Sequence, residues 1–224
     1  MISKRFSGND IHTVLATVSA QAAGFTPEEV LVIAEHSHDP DFQDVLFDRG
    51  WKHVYTQSGF GGAAGMTSKR FMTAVNNQDI AELGRASHYL ADIASVFHTT
   101  MSGQSYHKFY EEFLDIVQSQ VVPSTVTGAV MPEDIIQMVA EFSNEVYGHY
   151  PAIYGAMRVW NESVLISESK SILSEAARLT TGLFLRYKDD VANGVQYIVP
   201  LEPGLNTSMV LAVTPFVLLW PFGV

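Results

Sequence analysis

The sequence predicts an all-α protein, built as a single-domain bundle of six or seven helices. Helix start and stop signals delimit several long segments, only one short segment suggests a strand, and no internal repeat or low-complexity tract interrupts the chain. Its 224 residues, of which 47% are hydrophobic and 17% charged, are enough to bury one large core. Together these observations favour a multi-helix bundle.

The first two helices carry the clearest local signals. An Ala-rich helix begins near Ile11 and is expected to stop at Gly24. In the next segment Thr26 is the N-cap and Pro27 takes the first helical position. Glu29 completes a capping box, because its side chain can reach back to the N-cap backbone.

An irregular stretch is expected after the second helix. Pro40 disfavours a helical conformation at Asp39 and is expected to end that helix. Residues 44–66 contain the cluster GFGGAAG and a candidate strand in WKHVYTQ, and they predict a long loop. The glycine cluster lacks the Lys and Ser/Thr of a P-loop, so it indicates a flexible or closely packed turn.

Helices account for most of the remaining chain, which ends in an apolar tail. They are predicted over residues 77–97, 104–121, 133–147, 150–160 and 167–187. Residues 208–224 are almost wholly apolar, but Pro215 and Pro221 make them a poor transmembrane helix. We therefore expect one helical domain over 1–207, with a tail over 208–224 that packs on the domain or on a partner subunit. Peripheral contact with a membrane is the second interpretation of the tail.

The composition excludes several classes of site. The formal charge is −11, from 24 acidic and 13 basic residues, which argues against nucleic acid as a partner. The absence of cysteine excludes disulfides, thiolate zinc sites, iron–sulfur clusters and Cys nucleophiles. The start MISKRFSGNDIH lacks the apolar region of a signal peptide, and the compartment stays open between cytoplasmic and, if the chain is already processed, secreted.

Two histidine–carboxylate pairs on consecutive predicted helices indicate a metal site. In HYLADIASVFH, His88 and Asp92 stand four residues apart and therefore share one helix face. In HKFYEEFLD, His107 and Glu111 repeat this spacing, and His98 lies between the two pairs. Imidazole and carboxylate are good zinc ligands, and helix bundles place metals between facing helices. The pattern predicts a metal cluster in a cleft between helices.

These motifs resemble the zinc-dependent phospholipase C and S1/P1 nuclease superfamily. Its signature is His-x3-Asp-x5-His followed by His-x3-Glu or His-x3-Asp, which residues 88–111 match. Glu111 favours the phospholipase C branch, because nucleases of the group usually have Asp there. The resemblance covers roughly residues 10 to 115, and it implies an all-helical fold that holds two or three zinc ions.

The resemblance also implies a set of site residues. The metal ligands would be His12, Asp41, His53, His88, Asp92, His98, His107 and Glu111. Asp92 would bridge two ions, and Asp41 would also orient or deprotonate the attacking water as a catalytic residue. Two positions have alternatives, Asp39 for Asp41 and His36 for His53. Asp41 is preferred because the aromatic Phe42 follows it, and the register that uses His36 leaves no carboxylate far enough upstream.

The chain departs from the family pattern at three places. Ala91 replaces the usual Gly before the Asp, and Val96 replaces a common Pro two residues before the His. The family also uses the free amine of the mature N-terminus as a zinc ligand. Here Met1, or a residue exposed by processing, would have to supply that amine.

The resemblance implies phosphodiester hydrolysis, in which metal-activated water cleaves a glycerophospholipid to diacylglycerol and a phosphorylated headgroup. Three alternatives stay open. They are a nuclease or nucleotidase of the same superfamily, a biosynthetic hydrolase or cyclase on the same metal scaffold, and a metal-free helical binding protein. The expected partner is a phospholipid or another phosphodiester, and the apolar tail offers a surface for oligomerisation.

Overall fold

The structure is a computed structural model that describes residues 10–43 and 51–200. Within these residues it is built from α-helices and 3-10 turns, without strands, so the predicted all-α fold is confirmed. The helices are α1 (Ile11–Ala22), α2 (Pro27–His36), α3 (Asp39–Gln43), α4 (Ala63–Asn77), α5 (Ile80–Ile93), α6 (His107–Val121), α7 (Ile135–Val159) and α8 (Glu162–Ala192). The 3-10 turns are Trp51–His53, Val96–His98 and Gln104–Tyr106. None of the described helices is both long and apolar enough to cross a membrane.

The first helices form as their local signals predict. Gly24 has φ +74° just after α1, a conformation that favours glycine. The capping box of α2 is complete, because the Glu29 amide donates to Oγ1 of Thr26 and the Thr26 amide donates to Oε2 of Glu29. Helix α2 ends before Pro40, as expected, but the expectation that Asp39 is not helical is wrong. Pro40 lies in the first turn of α3, where its missing N–H costs no helical hydrogen bond.

The stretch predicted as a loop contains the start of a helix. The candidate strand in WKHVYTQ is a 3-10 turn followed by irregular chain, and α4 already begins at Ala63. The glycine cluster packs closely before that helix. A Cβ on Gly61 would lie 1.8 Å from the carbonyl oxygen of Val54, and one on Gly62 would lie 2.3 Å from the Trp51 ring. The glycines therefore allow close approach to the turn at 51–54 rather than a long excursion.

Helix α5 occupies the centre of the bundle. It packs against α1, α2, α4, α7 and α8, and eleven of its fourteen residues are buried. A Cβ on Gly84 would lie 2.3 Å from the carbonyl oxygen of Ile33, so α5 and α2 approach closely. Because the helix is buried nearly all round, its polar residues His88 and Asp92 lie inside the protein.

Helix α7 joins two segments that the sequence predicts as separate helices, 133–147 and 150–160. Pro151 stands inside this continuous helix of 25 residues. A proline costs one backbone hydrogen bond, and the buried residues on both sides of Pro151 supply the packing that outweighs this loss. The apolar tail at 208–224 lies outside the described residues, so its packing and the proposed division of the chain stay predictions.

Candidate metal centre

The eight predicted ligands come from six neighbouring segments of the fold and form two groups. The Asp92 group comprises His12 on α1, Asp41 on α3, His53 on the first 3-10 turn, and His88 and Asp92 on α5. The Glu111 group comprises His98 on the second 3-10 turn, and His107 and Glu111 on α6. Helices α7 and α8 supply none of these residues and act as the scaffold behind them.

Asp92 stands at the centre of its group. Its Oδ1 lies 3.1 Å from Nε2 of His12. Its Oδ2 lies 2.5 Å from Nδ1 of His53 and 3.1 Å from Nε2 of His88. The two oxygens of one buried carboxylate therefore serve different histidines. This arrangement suits a carboxylate that serves two ions, directly or through a histidine.

Asp41 and Asp39 point to different partners, although both lie on α3. Oδ1 of Asp41 lies 3.7 Å from Nε2 of His88, and 45% of the Asp41 side chain is exposed. Asp39 instead accepts hydrogen bonds from Nδ1 of His36, at 2.7 Å, and from Nε of Arg85, at 2.8 Å. The alternative pair Asp39 and His36 thus belongs to an ion-pair network, whereas Asp41 faces the Asp92 group. Its role as a ligand stays a prediction.

The Glu111 group brings three ligand atoms together. Nε2 of His107 lies 2.6 Å from Oε1 of Glu111 and 2.7 Å from Nε2 of His98. Nε2 of His98 lies 3.0 Å from the same carboxylate oxygen. Ligands held about 2.0–2.1 Å from zinc in a tetrahedron lie roughly 3.3 Å apart, so a small outward shift would admit an ion. The donor set and the spacing both fit zinc.

Backbone carbonyls fix the orientation of two of the histidines. Nδ1–H of His88 donates to the carbonyl oxygen of Ser37, at 2.8 Å. Nδ1–H of His98 donates to the carbonyl oxygen of His53, at 2.9 Å. A neutral imidazole that donates through Nδ1 carries its lone pair on Nε2. Both Nε2 atoms therefore face their groups with a free lone pair, as metal-binding histidines usually do.

The electrostatics of both groups favour charged or metal-bound side chains. Burial lowers the pKa of His12, but the Asp92 carboxylate outweighs burial and raises it to about 10. Burial also opposes ionisation of Asp92, yet the surrounding histidines hold the pKa of Asp92 well below its usual range. For Glu111, burial raises the pKa, whereas His107 and His98 lower it to about 2. Both carboxylates are therefore anionic and available to a cation at neutral pH.

The structure adds positions that the sequence did not single out. Oδ1 of Asp115 accepts a hydrogen bond from the Ile11 amide, at 3.0 Å, and so joins α6 to the start of α1 beside His12. Arg85 pairs with Asp39, at 2.6 Å, and with Glu82, also at 2.6 Å. Asp115 stands four residues after Glu111 and Arg85 three after Glu82, so helical spacing was the available signal. The contacts of Asp115 with Ile11 and of Arg85 with Asp39 join residues far apart in the sequence, and no sequence pattern indicated them.

Comparison with known proteins finds a similar fold among solved structures, but no match among protein families or curated sequences. Among solved structures, the alpha-toxin of Clostridium perfringens, isolated from avian strain SWCP, superposes with a TM-score of 0.67 at 16% sequence identity. The match covers 84% of this chain and 65% of the toxin chain.

This likeness concerns the fold alone, because the sequence identity is low. The chain spans about two thirds of the toxin's length, since 65% of that chain is covered. The resemblance stated from the motifs is confirmed as far as the fold goes. The protein shares the all-α fold of the alpha-toxin, and it carries several groups of His, Asp and Glu that could hold metal.

Proposed function

We propose that the protein is a zinc-dependent phosphodiester hydrolase of the phospholipase C type, holding two or three zinc ions. The observation that carries the proposal is the convergence of eight histidine and carboxylate side chains from six segments into two compact groups. Scattered surface pairs would not bring ligand atoms from α1, α3, α5 and α6 together. The phospholipase C-like fold supports the same reaction class.

The site residues suit this chemistry. Zinc bound here would neutralise charge on the phosphate oxygens and lower the pKa of a coordinated water. Asp41 is the candidate base, because its half-exposed carboxylate faces His88 and can accept a proton from water that enters from solvent. Asp92 and Glu111 are buried or partly buried anions that would hold the cations near the phosphate. Water attacks phosphorus, the ester P–O bond breaks, and the leaving alkoxide takes up a proton.

A glycerophospholipid is the proposed substrate, giving diacylglycerol and a phosphorylated headgroup. Two sequence features favour it over nucleic acid. Glu111 follows the phospholipase C motif, and the net charge of −11 opposes binding of a polyanion. The apolar tail at 208–224 would contribute peripheral contact with a lipid surface or with a second subunit, and both roles belong to this proposal.

The test combines metal content with activity. Zinc per chain is measured by plasma mass spectrometry on protein purified without a His-tag, for wild type and for the double variant His88→Ala, Asp92→Ala. The matched control is His149→Ala, since His149 on α7 pairs with Glu168 on α8 and belongs to neither group. Two or three zinc ions are expected in wild type and in the control, with a large loss in the double variant.

Substrate assays then separate the reaction classes. We expect zinc-loaded wild type and His149→Ala to hydrolyse phosphatidylcholine vesicles, and the double variant to fall to background. Hydrolysis of single-stranded DNA or 3′-nucleotides alone would replace the phospholipase with a nuclease or nucleotidase. Zinc binding without phosphodiester hydrolysis would favour a biosynthetic hydrolase or cyclase. Wild type that binds no zinc would overturn the proposal and leave a helical binding protein.

A further inference from the structure

A third group of ligand atoms lies beside His12, outside the set that the motifs imply. Nε2 of His12 faces Asp92, whereas its Nδ1 lies 3.8 Å from Oδ1 of Asp10. Oδ2 of Asp10 lies 2.7 Å from Nε2 of His38. One ligand atom from each of Asp10, His12 and His38 lies within 4.8 Å of the others. Two imidazoles and one carboxylate therefore converge at a partly exposed edge of the Asp92 group.

The local structure holds these side chains in place. Asp10 is the N-cap of α1, because its Oδ1 accepts from the Thr13 amide at 3.1 Å. His38 lies in the turn between α2 and α3, directly after Ser37, whose carbonyl orients His88. The carbonyl oxygen of His38 accepts a hydrogen bond from the Asp41 amide, at 3.2 Å. The cap of one helix and the corner between two others thus fix the positions of Asp10 and His38.

The simpler alternative is that Asp10 only caps α1 and forms an ion pair with His38. Capping, however, uses Oδ1, whereas Oδ2 meets Nε2 of His38, and the Thr13 hydroxyl lies 3.5 Å from that Oδ2 and 2.5 Å from that Nε2. None of these contacts requires His12 to turn Nδ1 towards the same place. Two His and one Asp form a donor set that zinc accepts, with a fourth position open to water from the exposed side. The three side chains are 17–25% exposed, so solvent reaches them.

We propose that Asp10, His12 and His38 hold a zinc ion, bound to Nδ1 of His12. The assignment rests on the proposed function, because it places one of the two or three zinc ions of that site. It also removes the need for an amine at the chain start, since Asp10 and His38 supply the remaining protein ligands of this ion.

The second nitrogen of His12 strengthens this assignment. A neutral imidazole carries one lone pair, so zinc on Nδ1 leaves an N–H on Nε2. That N–H donates to Oδ1 of Asp92, 3.1 Å away, which makes a carboxylate–histidine–zinc arrangement. Oδ2 of Asp92 stays with His53 and His88. Asp92 then supports the ion at Asp10 through His12 rather than by direct contact.

Zinc counts on the full chain test this assignment. The protein is stripped with chelator, loaded at buffered free zinc and counted by plasma mass spectrometry. The variants are His38→Ala and Asp10→Asn, and the second keeps an efficient N-cap while it removes the charge. The control is His36→Ala, two residues before His38, because His36 faces Asp39 and Arg85. Far-ultraviolet circular dichroism confirms that each variant retains its helices.

We expect each variant to hold one zinc ion fewer per chain than wild type, and the control to match wild type. Zinc-edge anomalous diffraction should place that ion about 2.0–2.1 Å from Nε2 of His38 and Nδ1 of His12. Unchanged zinc counts in both variants, or an ion on Nε2 of His12 instead, would overturn the assignment and leave the proposed hydrolase intact. Wild type without any zinc would overturn both.

Discussion

His53 and His98 are joined through the backbone at 2.9 Å, where Nδ1–H of His98 donates to the carbonyl oxygen of His53. A second bond runs in the opposite sense, because the Tyr55 amide donates to the carbonyl oxygen of His98, at 3.1 Å. His53 belongs to the Asp92 group and His98 to the Glu111 group. These two hydrogen bonds tie the segment before α4 to the segment after α5. They therefore fix the distance between the Asp92 group and the Glu111 group.

Glu111→Gln tests whether the groups bind metal separately. The amide keeps the shape of the side chain but loses the anion that both His98 and His107 face, so we expect the zinc count to fall by about one. The control is Glu112→Gln, since Glu112 is exposed and pairs with Lys108, at 3.8 Å. Both are measured by plasma mass spectrometry. Loss of all zinc in Glu111→Gln would mean that the groups bind metal as one unit.

Arg85→Ala should destabilise the fold by about 2 kcal/mol, because it leaves the carboxylates of Asp39 and the buried Glu82 without this partner. Arg178→Ala is the comparison, since Arg178 pairs with Glu175 in a more exposed setting and should cost less than about 1 kcal/mol. Urea unfolding at pH 7 measures both. Equal losses would show that burial of the Arg85 network contributes nothing extra.

Two glycine-to-alanine substitutions should change the stability of the fold in opposite directions. Alanine at Gly84 would place a Cβ 2.3 Å from the carbonyl oxygen of Ile33 and force α5 from α2, at a cost of about 1–3 kcal/mol. Alanine at Gly155, inside α7 with nothing within 4 Å, should stabilise by up to about 1 kcal/mol. Thermal unfolding of the two variants checks this. A Gly84→Ala protein as stable as wild type would contradict the close packing of these helices.

The partly buried hydroxyl of Tyr197 should make the folded protein less stable at high pH. Burial, together with a hydrogen bond from its hydroxyl to Oδ2 of Asp190, raises the pKa of Tyr197 to about 12. The folded chain thus holds the phenolic proton more tightly than the unfolded chain does, whose pKa is about 10. This contribution is complete below pH 10 and disappears as the pH rises through 12.

Urea unfolding at pH 9 and pH 11 should therefore show a larger drop for wild type than for Tyr197→Phe, which has no phenolic proton to lose. The other tyrosines titrate in both proteins and cancel in the difference. The same drop in both proteins would show that Tyr197 makes no contribution to this pH dependence.

Local signals account for what the sequence predicted well. The capping box at Thr26 and Glu29 needs only four consecutive residues, and the pair His88 and Asp92 needs only one helix turn. Such features predicted the helical class and the main motif. The join at Pro151 could not be predicted in the same way, because the packing of α7 against α4 and α8 overrides a local helix breaker.

Long-range contacts explain what the sequence left out of the candidate site. His38 and Asp10 are separated by 28 positions, and only the meeting of α1 with the α2–α3 corner brings them to 2.7 Å. Arg85 likewise reaches Asp39 across 46 positions. The choice between Asp39 and Asp41 turns on which face of α3 meets α5, and a five-residue helix has no periodicity that reveals its faces.

The carbonyl oxygens that orient His88 and His98 belong to the main chain of Ser37 and His53. Every amino acid carries that oxygen, so no point substitution at either position can delete the acceptor itself. Substitution of the Ser37 side chain is therefore limited by its buried volume and by its hydrogen bond to the Ala34 carbonyl, and not by the tautomer of His88. Alignments of diverging descendants would show no trace of the constraint on that tautomer, even though it persists in every one of them.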